Sequence, residues 1–239
     1  MPFQPVETQR LYEQVAHQIG DLIRAGEFGP GHRLPAERDL AKSLGVSRPV
    51  VREAMIALEV QGLVEVRTGS GAYVRDKTPE PEAAVNAGNS PSDILTARML
   101  IEGEIAALAA QKASALEIET IAAKIAEMER LHDLGRPWHN ADLAFHAAIA
   151  NATGNAAFAG VVERLWQEQH GAVFSLLSQR VRLSENWPAT LAGHQAILGA
   201  IRARKRKEAK DAMRAHLGQV LDVMTGEEAN IIAPGSSAG

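Results

Sequence analysis

In WHNADLAFHAAIAN, Asp142 and His146 stand four residues apart, so on a helix both side chains leave the same face one turn apart. Two ligands at that spacing can grip one ion. Ile149 shares the face, and a carboxylate pointed inward among apolar neighbours is expensive to bury unless a hydrogen bond, a counter-charge or a metal compensates it. Two more histidines lie on apolar faces: His194 in line with Leu191, Ile197, Leu198 and Ile201, and His216 among Met213, Leu217, Val220 and Met224. Each histidine taken alone also fits a hydrogen-bonded core position. With Asp142, however, three helices each turn a ligand-type side chain toward one interior, where bundles commonly build metal sites. Because the chain has no cysteine, thiolate sites, Fe–S clusters, disulfides and cysteine nucleophiles are excluded, and any metal must be held by His, Asp or Glu.

The elements that position these groups follow from a chain of 239 residues, 46% hydrophobic and 23% charged, with a formal charge of -4. That balance suits a folded protein with one large core or two modest ones. The opening residues lack a signal-peptide pattern and no run approaches the ~20 apolar residues of a membrane span, so a cytoplasmic protein with no membrane partner is expected. Residues 76–92, with three prolines and no apolar period, read as a linker. They separate a first domain, 1–75, from an all-helical domain, 93–230, and residues 231–239 read as a mobile tail. The expected class is mainly α: a winged helix-turn-helix of three helices and a β-hairpin, joined to a helical bundle.

In the first domain, Leu11, Val15, Ile19, Leu22 and Ile23 mark helix one, LPAERDLAKSL a short helix two, and Val51, Ala54, Met55 and Leu58 the apolar face of helix three. Only the turn Gly45 to Ser47 parts helices two and three, as a helix-turn-helix requires, and Ser47 suits the cap of the third. Arg48 and Arg52, four apart, are expected to stand free for base edges or phosphates. Residues 32–52 hold five Lys/Arg against two acids, whereas residues 1–75 balance at nine against nine. LVEVR and AYVR flank Thr68 to Gly71 as a hairpin. The strings LPAER, GVSR, VREA, LEVQGLVEVR and GSG closely resemble the winged-helix domain of GntR-family bacterial transcription regulators. The resemblance implies binding of double-stranded operator DNA by Arg38, Ser47, Arg48, Arg52 and the wing residues Thr68, Gly69 and Gly71. Pro49 departs from members that carry a hydroxyl residue there and offers no side-chain hydroxyl for a polar contact.

The second domain opens with Ser92 as a helix cap and Arg98 and Glu102 four apart on that helix; Ser114 and Glu117 form a capping box for the next, which carries Leu116, Ile121, Ile125, Met128 and Leu131. The pattern resembles the FCD domain of the FadR branch of GntR regulators, which binds a divalent metal through one Asp and three His, and Asp142, His146, His194 and His216 match those positions. One carboxylate and three imidazoles leave one or two positions open on Zn²⁺, Ni²⁺ or Mn²⁺ for an effector carboxylate or hydroxyl. Arg98 matches the family's arginine and would grip a carboxylate, Glu102 would orient it or bind an effector hydroxyl, and Trp187 would cap the pocket. The resulting reading is a homodimeric repressor whose operator affinity responds to a small organic acid, with a hexuronate or another sugar acid as first candidate. A metal-dependent enzyme acting on a small acid is the alternative.

Overall fold

A computed structural model describes residues 10–67, 69–76, 89–181 and 186–226. The chain divides into two compact units, Met1–Pro91 with Gly171–Arg180, and Ser92–His170 with Val181–Gly239. Thr68, most of the expected linker and the whole tail lie outside the described residues.

The first unit contains α1 (Leu11–Arg24), α2 (Glu37–Leu44), α3 (Arg48–Val60), β1 (Val64–Arg67), β2 (Gly71–Val74) and α8 (Ala172–Arg180). α3 is the hub, packed by α1, α2, β1 and α8. Its face Val51, Ala54, Met55 and Leu58 is buried, as the periodicity demands. On α1 the buried stripe is Tyr12, Val15, Ala16, Ile19 and Ile23. Leu11 and Leu22, expected inward, are 52% and 39% exposed, because the stripe is centred on Ala16 and Ile19 and both leucines fall beyond its edges. Gly45 ends α2 with φ of 67°, a left-handed conformation that L side chains rarely adopt, and lets the chain reverse within the turn before α3. Ser47 caps α3, accepting from the Val50 N–H at a long 3.5 Å, and Pro49 fits the first turn. β1 and β2 pair antiparallel with Arg67 opposite Gly71, and Arg33 bridges to Tyr73 beside them.

The second unit contains α4 (Pro91–Lys112), α5 (Ala115–Asp133), α6 (His139–Asn151), α7 (Ala156–Gln169), α9 (Trp187–Arg202) and α10 (Arg206–Thr225). Among its pairings, α5 packs on α6 and α9, α6 on α7, and α9 on α10. Their shared core includes Ile121, Met128, Phe145, Ile149, Val162, Ile197, Ile201 and Met213. Each such side chain contributes roughly 1.5–3 kcal/mol by leaving water, and the core holds the inward faces of α6, α9 and α10 in register. The Ser114–Glu117 capping box forms as the sequence implies. Ser92 does not cap α4: the helix already starts at Pro91, whose fixed φ suits a first turn, and Ser92 lies inside it. Leu116 is exposed on the first turn of α5 rather than buried. Among the described residues no helix is long and apolar enough to cross a membrane.

One helix, α8, clusters apart from its neighbours in the chain. It lies in the middle of the stretch 93–230, yet it belongs with the first unit, fastened by Arg180 to Glu59 near the end of α3 and to the Val66 carbonyl on β1.

Candidate functional site

α6 is Ala-rich around its ligands, and small side chains let α5 and α7 approach closely enough to bury Phe145 and Ile149 completely beside Asp142 and His146. α9 presents His194 and α10 presents His216 from the other side. His194 Nε2 lies 3.0 Å from Asp142 Oδ1, and His146 Nε2 lies 3.5 Å from the same oxygen. The His194 and His216 ring centroids are 4.4 Å apart, and each is within 6 Å of His146. One ligand atom from each of the four residues falls within 4.8 Å of the others.

Proximity here is not hydrogen bonding. Asp142 Oδ1, both ring nitrogens of His194 and His216 Nδ1 are buried without a hydrogen-bond partner, despite the short Asp142–His194 separation. The polar atoms crowd one another without pairing off, as ligands that share one ion do. Two atoms bound to a common Zn²⁺ at ~2.1 Å can be at most ~4.2 Å apart, so the observed set needs to contract by only about half an ångström. The donor set of one carboxylate and three imidazoles suits a first-row divalent cation. Electrostatics agree: burial opposes ionisation of Asp142, but His146 and His194 overcome it and hold the carboxyl well below its ordinary range. Burial, and then His194 and His146, hold His216 well below the usual imidazole value, hence neutral and able to donate a lone pair.

Behind these residues, Glu102 is fully buried between two partners. Its Oε2 accepts from His146 Nδ1 at 2.5 Å and its Oε1 accepts from Arg98 Nε at 2.6 Å. Burial alone would raise its pKa, yet the Arg98 charge and then His146 keep it at about 2. With Nδ1–H committed to Glu102, the Nε2 of His146 is left to face Asp142, the orientation a ligand needs. Arg98, 2% exposed, also donates from Nη1 to Gln169 Oε1 at 2.6 Å and lies with its Cζ 4.8 Å from the Trp166 ring centroid. Its Nη2 has no partner. Trp187 heads α9 seven residues before His194 and is buried, stacked on the partly exposed His132 at 4.4 Å with Trp138 at 5.2 Å.

Three residues that shape this site escaped the sequence reading. Gln169 and Trp166 on α7 complete the surroundings of Arg98, but no periodicity distinguishes them from packing residues. Gly193 had a faint signal, a glycine in mid-helix directly before a candidate ligand. A Cβ there would meet His216 Nδ1 at 2.6 Å, so glycine is what lets α9 and α10 bring their histidines together.

In the first unit, Arg38, Ser47 and Arg48 are exposed, with Arg38 84% open. Gly69 and Gly71 at the hairpin have φ of 72° and 113°. Arg52 does not stand free: Nη2 and Nε donate to the two oxygens of Glu37 at 2.8 and 3.2 Å, a two-pronged pair that joins α3 to α2. The two helices are near neighbours only because the turn is so tight, and that brings Glu37 within reach.

The description "Bacterial regulatory proteins, gntR family" matches residues 11–74, and "FCD domain" matches residues 93–219. Over 220 residues the chain is 37% identical to the Uxu operon transcriptional regulator of Escherichia coli, covering 89% of this chain and 86% of that protein. It is 39% identical over 221 residues to the Exu regulon transcriptional regulator of the same species, covering 88% and 83%. It is 32% identical to the HTH-type transcriptional regulator LutR of Bacillus subtilis, covering 86% and 97%. The solved structure of E. coli McbR/YncC shares the fold, with a TM-score of 0.51 and 19% identity over 92% of this chain and 100% of that one.

Proposed function

The chain belongs to the gntR family of bacterial regulatory proteins and is a DNA-binding transcription regulator, and we propose that a small carboxylic acid, received in its FCD domain, controls its operator affinity. The observation that carries this reading is the convergence of Asp142, His146, His194 and His216 with buried atoms that lack hydrogen-bond partners. Unsatisfied polar atoms cost about 1–3 kcal/mol each when buried, and a chain accumulates several in one place when a ligand satisfies them. A divalent cation held by these four residues would supply a Lewis-acidic centre for an effector oxygen.

The remaining work falls to the chain's own groups. Glu102 fixes the ring of His146 and the guanidinium of Arg98 at once, so the metal ligand and the anion receptor keep one geometry. Arg98 offers Nη2 to an incoming carboxylate, in surroundings dry enough to strengthen the bond. Trp166 against Arg98, and Phe145 against His146 and His194, are buried and keep water from the site. The likeness to the Uxu and Exu regulators supports a hexuronate as the first effector to test.

For DNA, α3 enters the major groove with Ser47 and Arg48 leading, Arg38 meets the backbone and the Gly69–Gly71 wing lies alongside. Arg52, braced by Glu37, reads from a fixed position. A single winged helix buries little surface, so the reader works as a homodimer on a two-fold operator. The acid would favour the state whose half-site spacing no longer fits, a repressor's response, with a coupling of about 5- to 150-fold. Enzymatic use of the metal is set aside because the family and its relatives are regulators.

The test is a thermal-shift screen of sugar acids with and without chelator, followed by operator binding with each hit. The reading expects a hexuronate to stabilise only the metal-loaded protein and to weaken operator binding. Stabilisation unaffected by chelator would show that the four-residue cluster plays no part in sensing.

A further inference from the structure

We infer that Gln169 occupies the place of the effector's carboxylate on Arg98, and that its displacement is the event relayed to the DNA-reading unit. The inference rests on the reading of Arg98 as carboxylate anchor. Arg98 has three nitrogens in a fully buried setting: Nε is held by the anionic Glu102, Nη1 by the neutral amide of Gln169, and Nη2 by nothing. The pocket is therefore built one acceptor short. An arginine and a carboxylate pair best through two parallel bonds. The edge formed by Nε and Nη2 already carries the Glu102 carboxylate, which repels a second anion. A two-pronged grip is then available only at Nη1 with Nη2, and Nη1 has to be surrendered by Gln169. The neutral amide makes that exchange favourable, since a carboxylate forms the stronger bond to a guanidinium.

What happens to Gln169 next follows from its place in the chain. It is the last residue of α7; His170 and Gly171 follow, and α8 begins at Ala172. The chain passes from the second unit into the first between His170 and Gly171. At the far end of α8, Arg180 donates to Glu59 Oε1 and, at 2.5 Å, to the Val66 carbonyl. Glu59 Oε1 in turn accepts the Val66 N–H at 3.2 Å. α8 is thus fastened to the last turn of α3 and to the first wing strand, the two elements that read DNA. A shift at the α7 terminus enters α8 after two intervening residues and arrives at both.

The experiment uses the metal-loaded full-length chain, with D-glucuronate and D-galacturonate as probes and D-glucose as the neutral control. Calorimetry gives acid affinity, and titration of a selected palindromic operator gives DNA affinity with and without acid. Gln169→Met keeps the length of the side chain and removes the competing oxygen, so acid should bind roughly three- to tenfold tighter, the worth of one hydrogen bond. Gln169→Glu installs a permanent anion on Nη1, so acid should bind at least about tenfold weaker while operator binding persists without response. Arg180→Met should leave acid affinity within about twofold but reduce the operator response. Acid affinity unchanged in both Gln169 variants overturns the placeholder, and a full operator response in Arg180→Met overturns the relay. Arg98→Ala separates the premise: if it binds acid as tightly as the parent chain, the anchor reading itself has failed, and the placeholder with it.

Discussion

Gly193→Ala adds one methyl group and should cost the protein its metal far more than its fold. The new Cβ would lie 2.6 Å from His216 Nδ1 and 3.2 Å from that residue's Cβ and Cγ. Ordinary contact is near 3.4–4 Å, so α9 must retreat from α10 by close to an ångström or the imidazole must swing away. Overpacking of this kind costs about 1–3 kcal/mol, while alanine in place of glycine returns up to about 1 kcal/mol of helix propensity. The net loss without metal is therefore small, roughly 0–2 kcal/mol. The metal is another matter, because His216 leaves its position and affinity should fall by about 100-fold or more, at least the upper end of what outer-shell disruption alone causes. At a metal concentration 100 times the parent's Kd, binding stabilises the parent by about 2.7 kcal/mol and a 100-fold weaker variant by only about 0.4 kcal/mol. Gly199→Ala is the control, since it lies on the same helix with open space around its Cβ position. It should gain up to about 1 kcal/mol and keep its metal. Denaturant unfolding in chelator and in excess Zn²⁺, with metal content measured directly, separates the two. If Gly193→Ala retains parental metal affinity, or Gly199→Ala loses it equally, the close approach of α9 to α10 is not what assembles the site.

The two functions should also come apart by mutation. Arg52→Ala should weaken operator binding by roughly 1–3 kcal/mol at fixed salt and leave metal content unchanged; because Glu37 braces this arginine, Glu37→Gln should show a smaller loss in the same filter-binding assay. His194→Ala should do the reverse, losing metal and acid response while binding operator as before, and parallel loss of both properties would contradict the assignment of metal binding and DNA reading to separate units. Glu102→Gln leaves the buried Arg98 without its counter-charge, so it should destabilise by about 3–5 kcal/mol and lower metal affinity about 10- to 100-fold. A variant with unchanged denaturation midpoint would mean Glu102 does not hold the pair together.

Much of this could be read from order alone. A helix-turn-helix is a local object: a stop glycine, a three-residue turn and a capping serine specify it within one short stretch, and Gly45, Ser47 and the face of α3 adopt the expected roles. The four candidate ligands were legible for a similar reason. Each lies on the apolar stripe of its own helix, and period alone says that such a side chain turns inward. The same logic misled at Leu11, Leu22 and Leu116, apolar residues at helix ends or stripe edges that stay exposed among the described residues.

What periodicity cannot supply is the identity of the neighbour across the interface. That Glu102 reaches both Arg98 and His146, that Gln169 crosses 71 residues of chain to cover one arginine nitrogen, and that Arg52 is held by Glu37 are facts of tertiary contact. The assignment of α8 to the first unit is of the same kind, for a short amphipathic helix records that it has a buried face but not which surface covers it. The order of residues settled which side chains point inward and where the chain turns, because those depend on local sterics and the burial of apolar surface. Packing alone settled which of them meet, because a contact between distant segments is determined by the shapes of all the elements at once.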